Sequence, residues 1–385
     1  RGGRPLIRAE WNVDFNIVIN FPSVDVATIG AGGGSIARVD AGGVLKVGPE
    51  SAGARPGPAC YDQGGEAPTV TDANLVLGRL SGDTKLAGQV ALRSDLAEQA
   101  IASVSGPMNC SLEQAAAGIL RIMRANMAGA IRLMSVRRGH DPRTFALAAF
   151  GGAGPLHTLE LAVELNIPEV IIPYVPGLGS ALGVLSVEVR HDFVQSIFAT
   201  NTRFNITEIN AAFSDLEARA RARLAEEGVP DARVAINRQL DVRYYGQVSG
   251  GLTLDAGQGI LSEADVSAIF DSFHVRHTEE YGYTLPSDLA ELEIVNARVT
   301  AEGQQRAPAA PLFLGKSADK VKPSGARQVY FNDWTETAIY QRAELPAGCT
   351  IAGPAVIEQL DSTTLLIPGS SATVDERRNL ICSVG

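Results

Sequence analysis

Hydrophobic and polar positions along this chain follow periods that predict both helices and strands. From Ser111 onward, apolar side chains recur every three or four residues to about Val136, which predicts one long helix. Gln114 follows Ser111 at the spacing of a capping box, and this pair marks the start of the helix. Residues 145–150 and 170–172 are instead apolar throughout, as is typical of short strands that are buried on both faces.

A strand–turn–helix–strand unit is predicted between those two apolar runs. Residues 151–154 are Gly-Gly-Ala-Gly, which predicts a tight turn, and Pro155 follows where a helix favours proline. Leu156 and Leu159 begin the apolar face of that helix. Because strands buried on both faces belong to parallel sheets covered by helices, we expect an α/β fold.

The pattern changes around residues 198–205, where we place a domain boundary. The first domain is predicted to span residues 1–199 and the second, an α+β domain, residues 200–385. Helices are predicted in the second domain at about 207–228 and 262–281, strands at 234–244 and 294–300, and several short strands between 328 and 374.

Composition excludes several classes of protein. The chain has 385 residues, 45% of them apolar and 20% charged, which is typical of globular domains with a sizeable core. A net charge of −10 argues against nucleic acid as the main partner. No stretch approaches the roughly 18 consecutive apolar residues of a membrane span, so no membrane partner is expected. The four cysteines are far apart and indicate neither a disulfide framework nor a zinc site, which fits a reducing cytoplasm.

Two glycine-rich segments are candidates for binding a phosphate-containing cofactor. The first comprises Gly30, Gly32, Gly33, Gly34 and Ser35, and the second comprises Gly151, Gly152 and Gly154. Glycine allows a backbone with positive φ and lets a ligand approach closely, and consecutive N–H groups or a helix N-terminus attract phosphate. The alternatives are a tight hairpin for the first segment and close packing of helix on strand for the second.

Two side chains are candidates for catalysis, each with a structural alternative. His157 lies in the first turn of its predicted helix, where the dipole favours a neutral ring suited to accept a proton or bind a metal. Its alternative is a hydrogen bond to a neighbouring loop. Asp72 either contacts a Mg²⁺-nucleotide or caps the short helix that follows it. His274 and His277 are expected at the surface, and the sequence indicates no set of metal ligands.

Six segments together resemble the hydantoinase A / 5-oxoprolinase family. They are residues 28–39, 48–80, 137–157, 176–192, 243–247 and 353–368, so the resemblance covers nearly the whole chain. It implies the later lobe of an actin-like (ribonuclease H-like) ATPase domain, followed by an α+β domain. It also implies ATP and Mg²⁺ as cofactors and a hydantoinase B-type partner subunit or domain.

One departure from that family concerns the nucleotide site. Its members are expected to carry Asp-x-Gly-Gly-Thr motifs upstream of the first glycine segment, and this chain has none. We therefore expect a missing N-terminal lobe and little activity from the chain alone. The activity implied is ATP-dependent opening of hydantoin, N-methylhydantoin or 5-oxoproline. The alternatives are a subunit of an ATP-dependent acetone or acetophenone carboxylase, and a non-catalytic scaffold lobe.

Overall fold

The structure is a computed structural model that describes residues 7–8, 11–13, 17–19, 23–82, 85–86, 88, 90–136, 139–247, 251–286, 290–303 and 321–384. The chain begins with β1 (Ile7–Arg8), β2 (Trp11–Val13), β3 (Ile17–Ile19), β4 (Ser23–Val24), β5 (Ser35–Val39), β6 (Leu45–Ser51), α1 (Val70–Val76), β7 (Lys85–Leu86) and β8 (Val90–Ala91). It continues with α2 (Ser94–Met108), α3 (Leu112–Ser135), β9 (Ala146–Ala148), α4 (Gly154–Leu165), β10 (Glu169–Ile172) and α5 (Gly179–Ser186).

The middle of the chain forms β11 (Val189–Thr200), α6 (Ile206–Glu226), β12 (Val234–Tyr244), β13 (Leu252–Asp255), α7 (Glu263–Tyr281) and β14 (Leu292–Gly303). The last part forms only strands and one short 3₁₀ turn among its described residues. These strands are β15 (Gly325–Tyr330), β16 (Trp334–Gln341), β17 (Thr350–Ala352), β18 (Ala355–Glu358), β19 (Thr363–Leu366), β20 (Ser371–Val374) and β21 (Leu380–Ser383).

Contacts divide the chain into two compact units. One unit combines residues 1–181 with 310–385, and the other spans 182–309. The domain boundary predicted between residues 199 and 200 stays a prediction, and the end of the chain returns to the first unit. There β21 pairs antiparallel with β10 in a five-stranded sheet of order β17-β20-β21-β10-β9. The parallel pairing predicted from the apolar runs is found between β9 and β10.

The long helix α3 forms as its apolar pattern predicts. The amide N–H of Gln114 donates to the Ser111 hydroxyl at 3.2 Å, and the Gln114 side chain accepts from the Ser111 N–H at 3.1 Å, so the capping box is confirmed. One face of α3 is buried against α1, α2 and β6, with Ile119, Leu120 and Met123 fully inside. This packing places α1, α2 and α3 next to the residues just before β5.

The second unit is an antiparallel sheet of order β11-β14-β12-β13 covered by α6 and α7. Phe213 and Phe273 are the largest side chains fully buried in its core. His277, expected at the surface, is in fact fully buried, because it follows Phe273 at helical spacing on the face of α7 that packs inward. Its Nδ1 lies 2.8 Å from the Tyr283 carbonyl oxygen.

None of the helices in the described ranges has both the length and the hydropathy required to span a membrane.

Candidate functional site

The two glycine-rich segments lie beside the same cavity in the first unit. The cavity has a volume of about 440 Å³ and is bordered by Gly32 from the first segment and by Gly151 and Gly154 from the second. A Cβ atom on Gly33 would lie 3.7 Å from that of Ala153, so the segments are also direct neighbours. Most of the remaining wall is apolar and comes from α3, α4 and β9.

The glycines of the first segment serve two different purposes. A side chain on Gly30, Gly33 or Gly34 would meet other atoms within 3 Å, so these three positions need glycine for packing. At Gly32 an added Cβ would meet nothing within 4 Å. None of the four has a positive φ, and the left-handed backbone expected here is therefore not found. Ser35 closes the turn, because its hydroxyl accepts from the Gly32 N–H at 3.0 Å.

The second segment joins β9 to α4 by a turn that is hydrogen-bonded to another part of the chain. Gly151 has a φ of +77°, and its N–H donates to the Pro176 carbonyl at 2.9 Å. The helix begins at Gly154, and its N-cap residue, Ala153, provides no side-chain acceptor for the first N–H groups. Pro155 has no N–H and the Leu156 N–H donates to the Ala153 carbonyl at 3.2 Å, so the start of α4 retains the Gly154 N–H and a partial positive charge beside the cavity.

The hairpin loop between β18 and β19 also touches this turn, which the sequence analysis missed. An added Cβ on Gly152 would lie 3.1 Å from the carbonyl oxygen of Asp361, and the Asp361 carboxylate accepts from the Gly177 N–H at 2.8 Å. The two strands pair antiparallel, with Glu358 opposite Thr363 next to the loop. Nothing local in the sequence signals the contact, because the residues are more than 180 positions apart along the chain.

His157 borders the cavity but is itself only 3% exposed. Its Nε2 lies 3.3 Å from the side-chain nitrogen of Asn74, on α1. Burial and, next, the nearby positive charge of Arg79 lower the pKa of His157 to about 3. Such a pKa leaves the ring neutral and makes it a weak proton acceptor near neutral pH.

A buried ion-pair cluster lies next to His157 and joins three parts of the first unit. Both oxygens of Glu160, on α4, accept from the guanidinium of Arg79 at 2.7 and 3.0 Å. Arg124, on α3, donates to the same carboxylate at 2.6 Å. Although burial alone raises the pKa of Glu160, the two arginines together hold it below its usual range. The sequence analysis did not single out these residues, because neither charge pattern nor spacing marks them.

Asp72 has the capping arrangement that was its structural alternative. Its buried carboxylate accepts from the N–H of Cys60 at 2.8 Å and from the N–H and hydroxyl of Thr69 at 2.9 and 2.7 Å. Together with the bond from the Asp72 N–H to the Thr69 hydroxyl, these contacts form a capping box at the start of α1. Because both oxygens are occupied, the geometry favours capping over contact with a metal-bound nucleotide. In the part of the chain that the structure describes, no three His, Cys, Asp or Glu side chains are grouped to hold a metal ion.

Curated relatives match almost the whole chain. It is 42% identical over 363 residues to an uncharacterised protein of Methanocaldococcus jannaschii, covering 93% of this chain and 51% of the relative. It is 36% identical over 364 residues to caprolactamase subunit alpha of Pseudomonas jessenii, covering 93% and 52%. It is 32% identical over 367 residues to the acetophenone carboxylase gamma subunit of Aromatoleum aromaticum, covering 91% and 49%. The chain thus spans about half the length of these relatives.

Two solved structures share the mixed α/β fold. The crystal structure of an ATP-dependent caprolactamase from Pseudomonas jessenii matches 97% of this chain and 55% of that chain, with a TM-score of 0.77 and 35% identity. A nucleotide-free acetone carboxylase matches 99% of this chain and 55% of that chain, with a TM-score of 0.85 and 25% identity.

Family models agree with these relatives. The hydantoinase/oxoprolinase model matches residues 1–193, and the model of the hydantoinase/oxoprolinase C-terminal domain matches residues 199–382. The chain belongs to the hydantoinase/oxoprolinase family.

Proposed function

We propose that this chain is part of an ATP-dependent enzyme that opens the ring of a cyclic amide. The observation that carries the proposal is the cavity beside both glycine-rich segments, where the start of α4 has no side-chain cap and presents the Gly154 N–H. The similarity to an ATP-dependent caprolactamase supports both the use of ATP and the class of substrate. Hydantoin, N-methylhydantoin, 5-oxoproline and a simple lactam are the candidate substrates.

The residues at the cavity fit a nucleotide. Gly32 leaves open space for a ligand to approach the backbone, and the start of α4 offers the Gly154 N–H and the positive potential that favours phosphate. The apolar walls from α3 and β9 provide a surface for the flat face of a base. When bound, ATP would supply the phosphoryl group that makes the amide carbonyl electrophilic. The chain's own residues would position the nucleotide and exclude water from it.

The remaining parts of the enzyme lie beyond this chain in the proposal. We assign the first unit to the later lobe of an actin-like ATPase domain, whose earlier lobe would bring Mg²⁺ and the other half of the phosphate site. A hydantoinase B-type subunit or domain would complete the substrate site. The chain's coverage of only about half of each relative's length supports this division.

The test is a substitution at Gly32, the one glycine of the first segment that packing does not require. Gly32→Val places three carbons in the open space and blocks close approach to the backbone. Losing one hydrogen bond to a charged phosphate costs about 1.5–3 kcal/mol, so the dissociation constant for ATP should rise roughly 10- to 100-fold in the intact protein. Gly33 and Gly152 are less suitable, because an added carbon there meets the Thr71 hydroxyl or the Asp361 carbonyl.

Gly129→Ala is the matched control. Gly129 lies in α3, an added Cβ there meets nothing within 4 Å, and it faces away from the cavity-lining Met127 and Ile131 by helical periodicity. Calorimetry should show ATP binding unchanged in this variant, with thermal unfolding confirming that both variants fold. Equal affinities in the Gly32 variant and the control would contradict a nucleotide at this cavity.

A carboxylase of ketones is the second candidate function. The acetophenone carboxylase gamma subunit and the acetone carboxylase structure favour it, at 32% and 25% identity. Turnover of ATP by the intact protein against hydantoin, 5-oxoproline, caprolactam, acetone and acetophenone separates the two. Stimulation by a ketone with bicarbonate, and by no cyclic amide, would replace the first proposal with the second. Absence of ATP turnover with every one of these substrates would favour the non-catalytic scaffold lobe.

A further inference from the structure

The side chain of Asn74 determines which nitrogen of His157 carries a proton. The Asn74 side-chain nitrogen lies 2.8 Å from the Val70 carbonyl oxygen, which only accepts hydrogen bonds, so the amide nitrogen and not its oxygen faces this carbonyl. The same nitrogen lies 3.3 Å from Nε2 of His157. Because an amide nitrogen only donates, Nε2 must accept and therefore has no proton.

The remaining ring proton of His157 is then on Nδ1. A neutral imidazole has one N–H, and the surroundings keep this ring neutral, since burial and the charges of Arg79 and Arg124 outweigh the opposing charge of Glu160 in setting its pKa. Nδ1 is buried and has no hydrogen-bond acceptor among the residues that the structure describes. His157 is one of the residues that border the cavity beside the two glycine-rich segments. A buried N–H without an acceptor is costly, so a partner is expected when the cavity is filled.

We propose that His157 is a neutral hydrogen-bond donor, through Nδ1–H, to a ribose or phosphate oxygen of the nucleotide, and that Asn74 is the positioning residue that holds it in this tautomer. The inference rests on the proposed function and replaces the proton acceptor expected from the sequence. A neutral imidazole at a helix N-terminus is suited to donate to an oxygen without adding charge.

Two substitutions of His157 separate the donor from a base. The side-chain nitrogen of Asn can occupy the position of Nδ1, whereas that of Gln reaches the position of Nε2. His157→Asn should therefore keep ATP affinity within about threefold of wild type, and His157→Gln should lose about tenfold, as expected for one missing hydrogen bond. Because His157 stays neutral, the ratio of the Gln variant's dissociation constant to that of wild type should not change between pH 5.5 and 8.

Asn74→Asp tests the positioning role with nearly the same shape. A carboxylate oxygen beside Nε2 would accept a hydrogen bond from it, so the single ring proton would lie on Nε2 and Nδ1 would have none to donate. ATP affinity should therefore fall about tenfold while the protein remains folded. Asn74→Ala removes the amide N–H that faces Nε2 but puts no acceptor in its place. This variant should therefore lose less ATP affinity than the Asp variant. All variants are compared in the intact protein by ATP titration calorimetry, with thermal unfolding as the measure of folding.

The outcomes separate this inference from the function on which it rests. If the wild type binds ATP tightly, either equal losses in His157→Asn and His157→Gln or an unaffected Asn74→Asp would overturn the donor role and leave the nucleotide site standing. Absence of ATP binding by the wild-type protein would overturn both. The expected result is retention in His157→Asn together with losses in His157→Gln and Asn74→Asp.

Discussion

The buried cluster of Arg79, Arg124 and Glu160 makes a sharp prediction about stability. Glu160→Gln keeps the shape of the side chain but removes the charge that pairs with two arginines. Arg79 has only 4% of its side chain exposed, so it cannot recover its hydration when its partner is lost. The variant therefore leaves a buried guanidinium beside a second one, with a neutral amide between them.

The expected loss follows from burial and charge. Removing one partner of a buried ion pair costs about 3–5 kcal/mol. The side chains of Glu160 and Arg124 are each 17% exposed, which gives water partial access and favours the lower end of that range. A loss of about 3 kcal/mol corresponds to a fall of roughly 6–12 °C in the unfolding midpoint of a unit of this size.

The pH dependence has a definite sign. The pKa of Glu160 is lowered in the folded protein, so the stability from its ionised form is complete above its ordinary value of 4.5. That contribution is lost as the pH falls through the lower folded pKa. The difference between wild type and Glu160→Gln should thus be constant from pH 8 to 5.5 and decrease below pH 4.5, as followed by differential scanning calorimetry of the intact protein.

Glu50→Gln is the matched control, since it makes the same change in an exposed pair. Glu50 contacts Arg38 at 2.9 Å, with side chains 66% and 48% exposed. Exposed pairs contribute at most about 1 kcal/mol, so the control should melt close to wild type. If Glu160→Gln melted with the control at pH 7, the buried cluster would contribute no more than a surface pair and the reasoning would be refuted.

Two further predictions concern Asp72 and the chain by itself. Asp72→Ala removes the acceptor of two backbone N–H groups and should lower the free energy of unfolding by about 2–4 kcal/mol, whereas Asp72→Asn should lower it less. Normal stability together with lost ATP turnover would instead support a catalytic role. The 385-residue chain expressed alone should show no substrate-stimulated ATP hydrolysis, because positioning in phosphoryl transfer needs the complete site. Robust hydrolysis of a cyclic amide by this chain would refute the proposed division between lobes.

Local sequence was sufficient for the elements that depend on near neighbours. The helix of Ser111 and Gln114, the strand–turn–helix unit around residues 151–154 and the helices of the second unit are present as predicted. Each rests on interactions within a few positions: capping bonds, apolar spacing and the backbone preferences of glycine and proline. Those determinants do not require a contact with a distant part of the chain.

Tertiary packing decided what the glycines and charged groups do. Both glycine segments were evident in the sequence, but only packing brings them to one cavity and leaves Gly32 as the open position. The tautomer of His157 depends on Asn74, 83 positions earlier, and the charge of Glu160 is balanced by arginines on other elements. The final strand returns to β10 and joins the chain's end to its first unit. Such contacts depend on burial and on the meeting of distant segments, which no local pattern of residues encodes.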